Sequence, residues 1–85
     1  MGPEILESMG VDRLDLEHRT KLQIELMKQM LGDNPSHQKQ LVWAQKYSKI
    51  VSGLIDSHEH DEIRNLAFEE NYIEAAKLLG DLLEE

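Results

Sequence analysis

The chain contains no cysteine. That excludes a disulfide framework, a thiolate zinc site and a cysteine nucleophile. It also fits a reducing compartment, so the expected location is cytoplasmic. Long apolar runs are missing too, whereas a membrane-spanning helix needs about 20 apolar residues in a row. The N-terminus lacks the basic region and apolar stretch of a secretory signal. Aromatic residues are scarce: one Trp, two Tyr and one Phe. Positive charge is scarce as well. Nine Lys and Arg face seventeen Asp and Glu, for a net charge of −8. Phosphate binding needs clustered Lys and Arg, so the chain as a whole is poorly suited to naked nucleic acid. A basic partner protein is electrostatically easier. No phosphate loop or dinucleotide fingerprint is present, and no cofactor is expected.

What is present is ordinary for a soluble globular chain: 40% hydrophobic and 31% charged residues. Eighty-five residues make a single domain, 1–85. A chain this small buries only roughly 60–65% of its unfolded surface, so its stability should be modest. Self-association is a common remedy, and a dimer is the first homo-oligomer to expect. The charge is uneven. Residues 1–34 carry −3, residues 35–55 carry +3 and residues 56–85 carry −8.

The clearest helical pattern runs from Asn34 to Asp56. Asn34 suits a helix N-cap and Pro35 the position after it. At about 100° per residue, Leu41, Ala44, Tyr47, Ser48, Val51, Leu54 and Ile55 share one side, which Trp43 and Ile50 widen to a half-cylinder. A helix apolar over that arc needs more than one neighbour. Trp43 and Tyr47 fall on the packing side, and Lys39, Lys46 and Lys49 on the polar side. A helix is also expected from Val11 to Gly32, capped by Asp12 or Asp15. Its apolar set is Leu16, Leu22, Ile24, Leu26, Met27, Met30 and Leu31. Arg19 and Gln23 fall inside that arc, as rim residues or as the polar part of an oligomer interface. Met27 and Met30 suit irregular contacts, as gap-filling core or as a binding groove. The link Asp33–Ser36 is short, so these two helices should be antiparallel neighbours.

Two shorter helices should come next, roughly 59–69 and from Asn71 onward. Ser57 is the best cap for the first of them, and Asn71 with Glu74 has capping-box spacing. The run Leu66-Ala67-Phe68-Glu69-Glu70-Asn71-Tyr72-Ile73-Glu74-Ala75-Ala76 resembles the turn of a tetratricopeptide-type helical hairpin, with an aromatic after the turn and small residues at the crossing. It covers about a dozen residues in one copy, whereas such arrays need several. It implies a close helix crossing and carries no function. Residues 1–10, with Ile5, Leu6 and Met9 apolar, form a short N-terminal element or docking arm. The fold class is thus all-α: a small helical bundle, with a long antiparallel helical hairpin plus a C-terminal pair of shorter helices.

Little in the chain points to catalysis. Asp56-Ser57-His58-Glu59-His60-Asp61-Glu62 is the densest set of potential ligands. On a helix His58 and His60 point about 200° apart, and zinc needs third and fourth ligands. They are a weak metal candidate, and a solvated linker with helix-capping acids is the stronger reading. Ser57, His58 and Asp61 are triad residue types without a glycine-rich elbow. The expectation is a non-enzymatic, acidic protein–protein interaction module: an adaptor, assembly factor or small inhibitor, in one version occupying a basic nucleic-acid-binding surface of its target. Its partner-binding candidates are Glu69, Glu70, Glu74, Arg19, Gln23, Met27 and Met30. The alternative is a small oligomeric DNA-binding or DNA-packaging regulator that uses Lys39, Lys46 and Lys49.

Overall fold

A computed structural model describes residues 13–85. The expected N-terminal element of residues 1–10, and any part of the first helix at Val11 and Asp12, lie outside those residues. The described part is all-α. It comprises α1 (Leu16–Leu31), α2 (His37–Asp56), a 3-10 turn (His58–His60), α3 (Asp61–Phe68) and α4 (Tyr72–Glu84). No strand occurs among the described residues.

Local chemistry sets each boundary. Asp15 caps α1, its carboxylate accepting the His18 backbone N–H at 3.4 Å. Gly32 stops α1 at a φ of +96°, a left-handed value that a side chain resists. Asn34 is the expected cap of α2, but Ser36 takes that role, and its hydroxyl accepts the Lys39 N–H at 3.2 Å. Asn34 and Pro35 belong to the link. Ser57 caps the 3-10 turn by accepting from the Glu59 N–H. That turn delays α3 to Asp61. The expected capping box of Asn71 and Glu74 does not form; Asn71 makes no side-chain cap bond. Its backbone N–H closes the end of α3 instead, donating to Leu66 O at 2.8 Å while Glu70 N–H donates to Ala67 O at 2.9 Å. Those two bonds are a Schellman closure with Glu70, at φ +63°, in the place usually given to glycine.

One apolar cluster joins the helices. Leu22 and Leu26 of α1, Trp43, Val51 and Ile55 of α2, Ile63 and Ala67 of α3, and Ala75, Ala76 and Leu79 of α4 are buried in it. Arg19 on α1 reaches Ser52 and Asp56 late in α2, while Met30 late in α1 meets Trp43 early in α2. The two long helices are therefore antiparallel. The hairpin is present, but α1 approaches α4 over a longer stretch than it approaches α2. Side-chain size explains the difference. Ala75, Ala76 and Gly80 let α4 come close, whereas Trp43, Tyr47 and Met30 hold α2 further off.

The inward face of α2 is narrower than a half-cylinder. Trp43, Val51 and Ile55 are buried and Tyr47 and Leu54 half-buried, but Leu41 and Ile50, expected on the packing side, are exposed. The α1 arc is likewise only partly covered, for Leu16, Ile24 and Met30 remain exposed.

Candidate functional site

Arg64 is the only charged side chain in the core among the described residues, at 2% exposure. It comes from the short acidic α3, whose Ile63 and Ala67 face inward on either side of it. One guanidinium nitrogen donates to Ile55 O at 2.7 Å and to Ser57 O at 2.6 Å. The other bonds the Asp61 carboxylate. Ile55 lies in the last turn of α2, where carbonyls have no partner within the helix. Arg64 therefore serves as a C-cap delivered from another helix, at the negative end of the α2 dipole. Arg19 does related work at the same end of α2, from α1. It donates to Asp56 at 2.7 Å, Ser52 at 3.1 Å and Leu14 O at 3.2 Å. Its donors are thus engaged within the chain, tying the start of α1 to the end of α2.

Most of the remaining residues singled out in the sequence fall on two surfaces, and Gln23, Met27 and Lys49 lie on neither. Glu69, Glu70 and Glu74 are exposed around the α3–α4 turn. Phe68 and Ile73 flank the same turn and are 40% and 60% exposed. The Phe68 ring also packs against His18, with centroids 5.6 Å apart. Gln23 and Met27 are half-buried on α1. Met30, Lys39 and Lys46, which belong to separate expectations, meet in one place. With Leu31, Val42, Trp43 and Tyr47 they line an open groove of about 770 Å³ at the link end of the hairpin. The Trp43 indole N–H points at the Met30 sulfur, 3.2 Å away. The Lys46 ammonium stands over the Tyr47 ring, 5.3 Å from its centroid. Lys49 is exposed and does not line the groove.

Sequence reading did not single out a second, smaller cleft. About 180 Å³ in volume, it lies between the 3-10 turn, α3 and α4. Ile63, Leu78 and Leu82 contribute its apolar wall, and Glu59, Glu62, Asp81 and His60 surround it. The available signal was Asp81, which projects from α4 three positions after Leu78 and so shares its flank. His58 and His60 do not converge with enough further ligands; no group of three or more His, Cys, Asp or Glu able to hold a metal occurs among the described residues.

Charge is weakly compensated in the C-terminal half. Of the acids from Asp56 onward, only Asp56 and Asp61 take part in an ion pair among the described residues. At the start of α1, desolvation pushes the Asp15 carboxyl up, but bonds from the His18 ring and from the backbone together outweigh it and hold the group below the ordinary carboxylate range. Lys21 is pushed upward by its bond with Glu17, aided by Tyr72 and Glu70. No helix among the described residues is long and apolar enough to cross a membrane. Comparison with known protein families, curated proteins and solved structures finds no match.

Proposed function

We propose that this chain is a non-enzymatic protein-interaction module whose acidic α3–α4 half docks on a basic surface of its partner. The carrying observation is the smaller cleft. Its apolar wall of Ile63, Leu78 and Leu82 suits the methylene stem of a Lys or Arg, and Glu59, Glu62 and Asp81 stand where the cationic head would lie. The uncompensated carboxylates around it add attraction over a longer range and speed encounter with a cationic surface. Adaptor, assembly factor and small inhibitor are all roles that such a module fills. An inhibitor of this design covers the basic surface that its target would offer to nucleic acid.

The test is partner capture from the native cell with two charge-reversed forms. One carries E62K and D81K beside the cleft, and the other carries E69K, E70K and E74K at the turn. The cleft variant should lose the partner and the turn variant should weaken it. Capture unchanged in both would remove the proposal. A mobility-shift titration of DNA at low salt separates this reading from the alternative of a DNA-binding regulator. A shift at micromolar protein that disappears when Lys39, Lys46 and Lys49 become Ala would favour the alternative.

A further inference from the structure

The groove at the link end of the hairpin differs from the rest of the surface in both charge and polarity. Its lining is apolar through Met30, Leu31, Val42, Trp43 and Tyr47, and Lys39 and Lys46 stand at it. Neither lysine is in an ion pair among the described residues. The segment 35–55 contains no acid that could compensate them from within the helix. Val42 leaves 55% of its surface open there. The groove volume falls within the range of binding pockets, roughly 300–1,000 Å³.

The same chain carries a surface of the opposite kind. At the α3–α4 turn, Phe68 and Ile73 are exposed large apolar side chains, and Glu69, Glu70 and Glu74 surround them in sequence. Apolar anchors within a ring of carboxylates match an apolar trough edged by ammonium groups, in contact chemistry and in sign. We propose that the α3–α4 turn of one copy seats in the lysine-edged groove of a second copy. Ile73 and Phe68 enter the groove, while Glu69, Glu70 and Glu74 meet Lys39 and Lys46. This contact rests on the proposed interaction role and supplies one basic surface that the acidic half could meet. Two chains of charge −8 repel at long range, but at physiological ionic strength that repulsion is screened beyond about 8 Å, while pairs in contact are screened much less. If two copies exchange turns with each other, the contact closes a two-fold dimer; if each gives its turn to one neighbour and receives one from another, it repeats head to tail.

Sedimentation equilibrium or light scattering of the full chain, across about 10 μM to 1 mM, tests this proposal. The mass should rise with concentration, ending at two copies for the reciprocal arrangement or continuing upward for the repeating one. Two single variants remove one side each: V42E in the groove and I73E at the turn. Both positions are more than half exposed, so the fold should survive, and far-UV circular dichroism checks that it does. Each variant alone should associate at least about tenfold more weakly than the parent chain, equivalent to about 1.4 kcal/mol. An equimolar mixture should recover a dimer, because V42E still has an intact turn and I73E an intact groove. A parent chain that stays monomeric throughout, a variant that associates like the parent, or a mixture that remains monomeric would each overturn the contact. None of those results touches the partner-capture outcome, so the two proposals fail separately.

Discussion

Arg64→Ala is the most informative single change. The side chain is 2% exposed and its two carbonyl contacts are short, so its loss has three parts. Hydrogen bonds to a charged group contribute about 1.5–3 kcal/mol, and a buried carbonyl left without a donor costs roughly 1–3 kcal/mol. Those figures describe the same bonds from two sides and are not summed. The buried methylene stem adds about 0.8 kcal/mol per group. Water can reach Ser57, which is half-buried, more easily than Ile55. The expected cost is therefore about 3–4 kcal/mol, against a total stability of roughly 4–13 kcal/mol for a chain this long. The Asp61 side chain is 65% exposed, and an exposed pair is worth about 0–1 kcal/mol, so Asp61→Ala should cost far less. Arg64→Lys should fall between, since one ammonium cannot reproduce the fork that reaches two carbonyls and a carboxylate. Urea denaturation followed at 222 nm reads all three. With a slope near 1 kcal/mol per molar, Arg64→Ala should lower the midpoint by roughly 3–4 M. If Asp61→Ala costs as much as Arg64→Ala, the residue is an ion-pair partner rather than a cap for α2. If Arg64→Ala costs below about 1 kcal/mol, the capping role fails altogether.

Three further changes probe the helices. Gly53 and Gly80 sit within α2 and α4; a Cβ at Gly80 would meet Leu26 Cδ1 at an ordinary 3.9 Å, and at Gly53 it would meet nothing within 4 Å among the described residues. Ala at both should add about 1.5–2 kcal/mol and raise the thermal midpoint by roughly 6–12 °C; an unchanged or lowered midpoint would mean that one of them is needed for a close approach. Glu70→Gly should stabilise by about 0.5–1 kcal/mol by removing the side chain from a φ of +63°, and a loss on calorimetry would contradict the Schellman geometry. Asp15 has a depressed folded-state carboxyl, so its contribution is present above the unfolded value and fades as pH falls below about 4. First-turn amides of α1 should lose exchange protection over that range in the parent chain. The loss should be smaller in Asp15→Asn, which keeps a neutral cap, and equal behaviour in the two would exclude the carboxylate as its cause.

The helices and their order were legible in the sequence because apolar residues recur at helical spacing and Gly32 and Ser57 mark two of the breaks. Asn34 was misleading for a local reason. Asn and Ser both cap helices, and Ser36 lies on the helix side of Pro35, so its hydroxyl is the one aligned with Lys39 N–H. The width of the α2 face was overestimated because hydrophobicity alone cannot say which apolar positions find a neighbour. Leu41 and Ile50 lie at the two margins of the stripe and find too little to cover them. Arg64 left a fainter trace. It lies about 60° from Ala67 on the α3 wheel, at the edge of the apolar face. Its targets, however, are backbone carbonyls of another helix, which no side-chain pattern records. The meeting of Met30 with Lys39 and Lys46 depends on how the hairpin folds back, so the sequence displays them only as two unrelated sets. Glu69, Glu70 and Glu74 were visible as an acidic run, whereas the Glu59, Glu62 and Asp81 cleft required α4 to be placed beside the 3-10 turn.

Trp43 is the chain's single tryptophan, and its indole meets Met30 across the seam between α1 and α2. Its emission consequently reports on that seam alone, while ellipticity at 222 nm averages over every helix. The backbones of α1 and α4 approach closely over a longer stretch than those of α1 and α2. A chain built this way can release one helix before the others, as a separate cooperative unit. Fluorescence and ellipticity should then trace different melting curves, the optical signal of Trp43 moving first. Coincident curves would show that the corner ties of Arg19 and Arg64 couple the two seams into one transition.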